Sequence, residues 1–315
     1  MLRISTALIV LASYAWMDSA TPGEPGQSAP DAIVGRWDLT LAGPQGLQPS
    51  WLEVRPSGNG YLVGQFVGVV GSARPISRVA LTNGVMRFAI PPQWEQGKSD
   101  LQVEGHMQGA GMAGSLVFPD GKRVNWTARR APLLRRAATP TWGDSIRVFN
   151  GTDLKGWHAK GPTNQWRAVS GVLQSPKSGA NLVSDRTFTD YKLHLEFRYP
   201  KGSNSGIYQR GRYEVQVEDS VSAQPENDMV GGVYGFIAPS EMAAKKPGDW
   251  QSYDITLIGR MITVVLNGKM VICNREIPGI TGGALDSDEG APGPLLLQGD
   301  HGPIEYRNIV LIPAR

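Results

Sequence analysis

Tyr191-Lys192-Leu193-His194-Leu195-Glu196-Phe197-Arg198-Tyr199 alternates apolar and polar side chains for nine residues without a break. Successive side chains of a β-strand point to opposite faces, so Tyr191, Leu193, Leu195, Phe197 and Tyr199 share one face and Lys192, His194, Glu196 and Arg198 the other. This is the pattern of an antiparallel strand with one face in a core and one in water, and it makes His194 a surface residue. The same grammar holds on either side of it. Trp250-Gln-Ser-Tyr-Asp-Ile-Thr-Leu-Ile258 and Met261-Ile-Thr-Val-Val-Leu266 flank the Gly259-Arg260 turn, and Asn267-Gly268 supplies the next tight hairpin. Two stacked antiparallel sheets are the expected product.

Residues 33–130 read as a second β unit. About eight strand-period segments recur at roughly ten-residue spacing, from Gly35-Arg-Trp37 to Val124-Asn-Trp126, and no useful helical period interrupts them. Ser57-Gly-Asn-Gly60, Thr82-Asn83-Gly84 and Pro119-Asp120-Gly121 mark the turns. An antiparallel meander closed as a small barrel or sandwich follows, read as an accessory domain that docks beside the site of the second unit. Residues 131–144 break the pattern with Pro132 and Pro140 and read as a linker, leaving 145–315 as the second domain. The chain is therefore expected to be all-β throughout.

Composition narrows the function classes. The 315 residues suit two domains, and 39 Gly with 23 Pro fit a turn-rich β protein. A net charge of +3 without a basic stripe argues against a nucleic-acid partner; the doublets Arg129-Arg130 and Arg135-Arg136 read as a solvated connection. The single cysteine, Cys273, lies in the apolar run Met270-Val-Ile-Cys and is expected to be a buried structural thiol. At the start, Arg3 precedes an apolar stretch, Ile4 to Ala15, of signal-peptide size and too short to span a bilayer. Residues 1–20 are expected to be a signal peptide cut after Ala15 or Ala20, residues 21–32 a flexible leader, and the mature protein periplasmic or secreted without a stable membrane anchor.

Polar residues gather on a few strands of the second unit. In Tyr213-Glu214-Val215-Gln216-Val217-Glu218, Glu214, Gln216 and Glu218 share a face, and oxygen-bearing side chains in such a row must meet water, a sugar or a cation. Upstream, Asn204-Ser-Gly206-Ile-Tyr208-Gln-Arg210 sets Tyr208 and Arg210 in register, with Gly206 permitting close approach. Tyr234 and Trp250 stand at loop–strand junctions, where rings can carry the apolar face of a pyranose or join the core. The apolar run Leu295-Leu-Leu ends in Gln298-Gly-Asp300-His301-Gly302, which sets a histidine that titrates near neutral pH beside a carboxylate at a strand end. No compact metal motif or calcium loop is present.

These stretches, together with Phe149-Asn-Gly-Thr-Asp153-Leu-Lys-Gly-Trp157, resemble the 3-keto-disaccharide hydrolase family over roughly residues 144–313. The resemblance implies a concanavalin A-like jelly-roll sandwich and a small-molecule carbohydrate substrate. It implies a reaction in which a C3 ketone acidifies the C2 hydrogen, one base removes it, and the group at C1 leaves before water adds. Catalysis is then expected from His301 as base, Arg210 as polariser and Glu218. Substrate contacts are expected from Tyr208, Glu214, Gln216, Tyr234, Trp250, Gln298 and Asp300. No cofactor is certain; because sheet folds gather ligands from distant strands, Glu214, Glu218 and His301 are also the candidate ligands for a divalent cation. The chain departs from the family pattern by a glycine, Gly299, between Gln298 and Asp300, which leaves the orientation of Asp300 open. Two alternatives stand beside this reading. One is a non-catalytic, lectin-like carbohydrate-binding module on the same fold. The other is a laminarinase-type glycosidase, against which Gln216 occupies the position of an acidic residue between Glu214 and Glu218.

Overall fold

The computed structural model describes residues 32–220 and 224–315, so the expected signal peptide and nearly all of the expected leader lie outside the described residues. No helix in the described residues is long and apolar enough to cross a membrane. The chain is all-β. Eight strands close into a barrel in sequence order: β1 (Gly35–Gly43), β2 (Gly46–Pro56), β3 (Leu62–Val67), β4 (Arg74–Thr82), β5 (Val85–Ile90), β6 (Leu101–Gln108), β7 (Gly111–Val117) and β8 (Arg123–Arg130). Every pairing is antiparallel, and β8 returns to β1 with Trp37 opposite Arg130. Closure leaves no free edge in this unit. The turn at Asn83-Gly84 takes positive φ at both residues, 51° and 75°, the mirror-image turn that matches strand twist. Trp37, Phe66, Phe88 and Trp126 fill the barrel interior.

The second unit is a sandwich of two antiparallel sheets. One has the order β10 (Trp157–Lys160), β13 (Asn181–Phe188), β20 (Gly293–Leu297), β15 (Asn204–Gln209), β16 (Tyr213–Glu218). The other has the order β11 (Arg167–Val169), β12 (Val172–Ser175), β21 (Ile304–Pro313), β14 (Tyr191–Arg198), β17 (Gln251–Ile258), β18 (Met261–Leu266), β19 (Lys269–Glu276). A short β9 (Ile146–Arg147) pairs with β21. The alternating stretch from Tyr191 forms β14, and Tyr191, Leu193, Leu195 and Phe197 are buried as its pattern requires. Phe197 stacks on Tyr253 of β17 at 4.8 Å between ring centroids. His194 keeps to the opposite face, with Nδ1 2.8 Å from Asp254 Oδ1 across the strand pair.

Two details differ from the sequence reading. Cys273 is exposed: β18 and β19 slip register between Val264 and Val265, so Val271 and Ile272 take consecutive buried positions and Cys273 turns outward. Three of the four doublet arginines are engaged with the fold. Arg129 binds Asp288 at 2.7 Å, the Arg130 guanidinium lies 3.9 Å from the Trp37 ring centroid, and Arg136 pairs with Asp190 at 3.2 Å.

Barrel and sandwich pack through a continuous contact. Trp51 points out of the barrel on β2 and is fully buried in the sandwich core, edge-on to Phe236 at 5.4 Å. Truncating a buried tryptophan typically costs about 3–5 kcal/mol. A side chain at Gly279 would stand 2.1 Å from Trp51 Nε1, so only glycine fits beneath the indole. Around this anchor Arg36 bridges Glu53 and Glu276 at 3.1 and 2.6 Å, and Thr40 Oγ1 lies 3.1 Å from Ser287 Oγ.

Asp38 lies in the same contact, 2% exposed, against the Glu289 carboxyl, with which its protonated form shares a hydrogen bond. Burial first, and then the neighbouring Glu289 carboxylate, push Asp38 well above the usual carboxylate range, to about 9. Glu289 is held by Arg260 and by the Tyr213 hydroxyl at 2.7 Å. A folded-state value above the unfolded one means that the native state holds a proton the unfolded chain releases. The stabilisation is complete below the unfolded carboxylate range and is lost as pH rises towards about 9. Asp38→Asn mimics the protonated acid. It should melt above the wild type at pH 8 and converge with it near pH 4 in a thermal scan series. A lower melting point at both pH values would contradict this account of Asp38.

Candidate active site

Strands β15 and β16 pair so that Tyr208 faces Glu214, Gly206 faces Gln216 and Asn204 faces Glu218. Period two sends all six to one side of the sheet, the side turned away from the sandwich core. Gly206 decides how they pack: a Cβ there would stand 2.0 Å from Glu214 Oε1, so the Glu214 carboxyl occupies the space a side chain would take. Next to this pair, Gln298 donates its backbone N–H to Gly206 O at 2.9 Å, and Ser205 Oγ donates to Gln298 O at 2.7 Å. Gly299 then passes tightly over β13. Its N–H donates to Asn181 Oδ1 at 2.8 Å, and a Cβ on it would stand 2.4 Å from Ala180 O. The extra glycine thus lets the chain turn past β13 and deliver Asp300 and His301 to the rim of the same face.

This face opens into a cavity of about 390 Å³, within the range of small-molecule sites. Its floor is Tyr208, Glu214, Gln216 and Gln298; Asn181, Asn204, Asp300 and His301 form one side. Tyr234, Gly282 and Gly283 form another, and the barrel closes it with Val70, Gly71 and Trp94.

Glu214 is 3% exposed, and burial pushes its carboxyl up to about 8. The Tyr208 hydroxyl lies 2.8 Å from Glu214 Oε2 and 2.9 Å from Gly282 O. A phenol has one proton, so it cannot donate to both acceptors. A protonated Glu214 resolves the conflict: the acid donates to Tyr208, and Tyr208 donates to the Gly282 carbonyl. His301 Nδ1 lies 2.6 Å from Asp300 Oδ1, and this hydrogen bond raises the imidazole above its ordinary value. With its proton on Nδ1 towards Asp300, the neutral ring keeps the Nε2 lone pair free. Two buried amide oxygens, Gln216 Oε1 and Gln298 Oε1, have no hydrogen-bond partner. Buried acceptors without donors are rare in native proteins, and here both belong to side chains that line the cavity.

The cavity gathers seven of the residues singled out from sequence: Tyr208, Glu214, Gln216, Tyr234, Gln298, Asp300 and His301. Glu218 stays outside the lining, half-buried next to Gln216. Arg210 leaves the expected face. β15 ends at Gln209, Arg210 adopts a left-handed φ of 52°, and its guanidinium turns to Tyr213 Oη at 3.1 Å and Gly259 O at 2.8 Å. Trp250 also lies elsewhere, with the Arg307 and Arg198 guanidinium carbons 3.9 and 4.7 Å from its ring centroid. Glu214, Glu218 and His301 do not converge: among the described residues no three His, Cys, Asp or Glu side chains form a cluster that could hold a metal ion. Asn204 was missed although two-residue periodicity from Tyr208 reaches it. Asn181 and the barrel residues had no local signal.

A family model described as a 3-keto-alpha-glucoside-1,2-lyase-like domain matches residues 144–312. No curated protein matches the chain. Among solved structures, a protein from Parabacteroides distasonis ATCC 8503, provisionally named a glycosyl hydrolase, is 26% identical with a TM-score of 0.46 over 56% of this chain and 92% of its own. LamA from Zobellia galactanivorans, solved with laminaritriose and laminaritetraose, is similar at 14% identity and a TM-score of 0.38 over 56% of this chain and 100% of its own. A carbohydrate binding module from Bacillus subtilis is similar at 14% identity and a TM-score of 0.33 over 50% of this chain and 94% of its own.

The role of Gly206 can be read directly. In Gly206→Ala the Glu214 carboxyl must leave its hole. Its titration, followed by carboxyl carbon NMR, should fall from about 8 towards the ordinary glutamate value of about 4.3, with the β circular dichroism spectrum kept. An unshifted titration would show that the glycine does not set this environment.

Proposed function

Since the chain belongs to the 3-keto-alpha-glucoside-1,2-lyase-like family over residues 144–312, we propose that its cavity cleaves glucosides already oxidised to a ketone at C3, by elimination between C2 and C1. The observation that carries the proposal is the buried Glu214 carboxyl hydrogen-bonded to Tyr208, which burial holds near 8 and so protonated at neutral pH. A carboxylic acid kept protonated in an apolar site can donate a hydrogen bond to a developing oxyanion.

The reaction follows from the ketone. Withdrawal by the C3 carbonyl acidifies the C2 hydrogen. His301 Nε2 takes that proton, and the C–H electron pair moves into the C2–C3 bond to form an enediolate. Glu214 turns its one proton from Tyr208 to the charge gathering on the C3 oxygen, while Tyr208 keeps its own on the Gly282 carbonyl. The pair then forms the C1–C2 double bond as the C1–oxygen bond breaks. The proton held by His301 is available to the departing oxygen, so the products are an alcohol and an unsaturated 3-keto sugar. Water adding across C1–C2 completes a net hydrolysis. Asp300 acts as a positioning residue through His301 Nδ1, and the unpartnered oxygens of Gln216 and Gln298 accept sugar hydroxyls. The protonated Glu214 takes the polarising role that the sequence reading gave to Arg210. The same orphaned oxygens favour a second reading, carbohydrate binding without turnover, because hydroxyl recognition needs no base. The apolar stretch Ile4 to Ala15 supports an encounter with substrate in the periplasm or the medium.

The pH dependence follows from two groups. Activity requires neutral His301, held above the usual histidine value, and protonated Glu214, near 8. The rate should rise as His301 loses its proton and fall through about pH 8 as Glu214 loses its own. His301→Ala should cost about 10²–10⁴-fold in kcat, the usual worth of a positioned base. Glu214→Gln should lower the rate and remove the alkaline limb. A 3-keto-glucoside deuterated at C2 should show a primary isotope effect, and its unoxidised parent should not be cleaved. Sugar release without a C2 isotope effect, together with a fully active His301→Ala, would overturn the mechanism. Binding of both sugars without turnover would establish the second reading.

A further inference from the structure

Trp94 lines the cavity while 67% exposed, and it comes from the barrel, outside the residues the family model matches. An exposed indole on a loop would ordinarily move. This one is fixed from below. The Glu95 carboxylate accepts two hydrogen bonds from Arg74, at 2.8 and 3.2 Å, and two from the backbone N–H groups of Gln93 and Trp94, at 2.8 and 3.2 Å. Both members of this ion pair are nearly buried, with side-chain exposures of 10% and 13%. Gln93 adds two bonds to Ser72, at 3.0 and 2.9 Å, which tie the loop to the segment carrying Val70 and Gly71. That segment is in turn seated on the sandwich. Gly283 donates its N–H to Val69 O at 2.8 Å, and a Cβ on Gly282 would stand 2.2 Å from Gly71 O. Trp94 also meets the Tyr234 phenol. The result is a rigid aromatic wall at a fixed height above the floor.

We infer that Trp94, with Val70 and Gly71, forms a binding site for the leaving group, and that the occupant is a second hexopyranose ring. The inference rests on the reading of the floor as the site of the 3-keto ring. With that ring on the sandwich floor, the side of the cavity left for the leaving group is the one the barrel lines with Val70, Gly71 and Trp94. The wall waiting there is apolar and flat. A pyranose presents a face of C–H groups that packs on an indole ring, whereas a methyl group covers little of it. The barrel therefore makes the site selective for disaccharides over simple alkyl glucosides. Covering about 20–60 Å² of apolar surface at about 25 cal/mol per Å² is worth about 0.5–1.5 kcal/mol, which corresponds to roughly 2- to 13-fold in affinity.

The test compares the full chain and two variants on a 3-keto-disaccharide and on methyl 3-keto-glucoside. Wild type should prefer the disaccharide in kcat/KM. Trp94→Ala should shrink that preference about 2- to 13-fold, chiefly through KM, and Trp94→Phe should recover most of it. Calorimetric binding of the unoxidised disaccharide and of methyl glucoside runs beside the kinetics and does not depend on turnover. If no 3-keto sugar is cleaved, the proposed reaction fails, yet a disaccharide preference in binding that is lost in Trp94→Ala still supports the wall. A preference ratio equal in wild type and both variants, each with native circular dichroism, overturns it. So does a wild type with no preference for the disaccharide in either measurement.

Discussion

A carboxyl group buried without a cation beside it is expensive unless it stays protonated and finds a hydrogen-bond partner. Much of this molecule is arranged around that requirement at Glu214. Gly206 leaves the hole the carboxyl fills, and Tyr208 on the neighbouring strand supplies the partner. Gly283 lies against the Tyr208 hydroxyl, where a Cβ would approach to 2.5 Å, and Gly282 gives its carbonyl to the same hydroxyl. Gly282 in turn abuts Gly71 of the barrel. One line of contacts runs from the acid through a phenol and three glycines to the other domain. Each glycine is needed because two backbones, or a backbone and a polar side chain, meet at distances no Cβ allows.

It follows that the barrel is part of the site rather than an appendage. Linked domains usually meet through modest, polar surfaces and move relative to each other. Here a barrel tryptophan is buried in the sandwich core, and a buried pair of carboxyls, Asp38 and Glu289, spans the contact. Those features belong to an interface that does not open freely. Rigid seating has a functional consequence: a wall contributed by the barrel keeps its distance from a floor contributed by the sandwich. Precise spacing between ligand-binding groups is what such a site needs, since small displacements weaken positioning steeply.

The fold was legible because strand periodicity and turn chemistry are local. The alternation over Tyr191–Tyr199 gave the buried face of β14 residue by residue, and Asn83-Gly84 and Asn267-Gly268 gave hairpins with positive φ at both positions. The site was legible only where the strands last. Tyr208, Glu214 and Gln216 share their expected face because β15 and β16 run through them. Arg210 fails by one residue, since the strand ends at Gln209 and the left-handed turn reverses its direction. Cys273 fails because a register slip in an edge strand cannot be seen in the pattern of one strand. Burial of Glu214 was not readable either. Period two says which residues share a face and nothing about whether another domain covers it.

The chemistry that this geometry suits differs from that of an ordinary glycosidase in the number of charges it needs. A retaining enzyme requires two carboxyls about 5–5.5 Å apart in different protonation states, one as nucleophile and one as acid. The cavity offers one neutral acid on its floor and an Asp–His pair on its rim, while Glu218 stands outside the lining. For direct displacement at an unactivated C1 the second carboxyl of the set, Asp300, is engaged by His301. For elimination next to a ketone the set is sufficient, because the substrate's own carbonyl stores the electron pair that a carboxylate would otherwise have to supply or absorb. The protein then needs only a base with a free lone pair and a donor that loses no solvation when the oxyanion forms. A protonated acid already stripped of water meets the second condition, since its cost of burial is met in folding and not at the moment of reaction. On the proposed reaction, the raised value at Glu214 and the tightness of the glycines around it are one design seen from two sides.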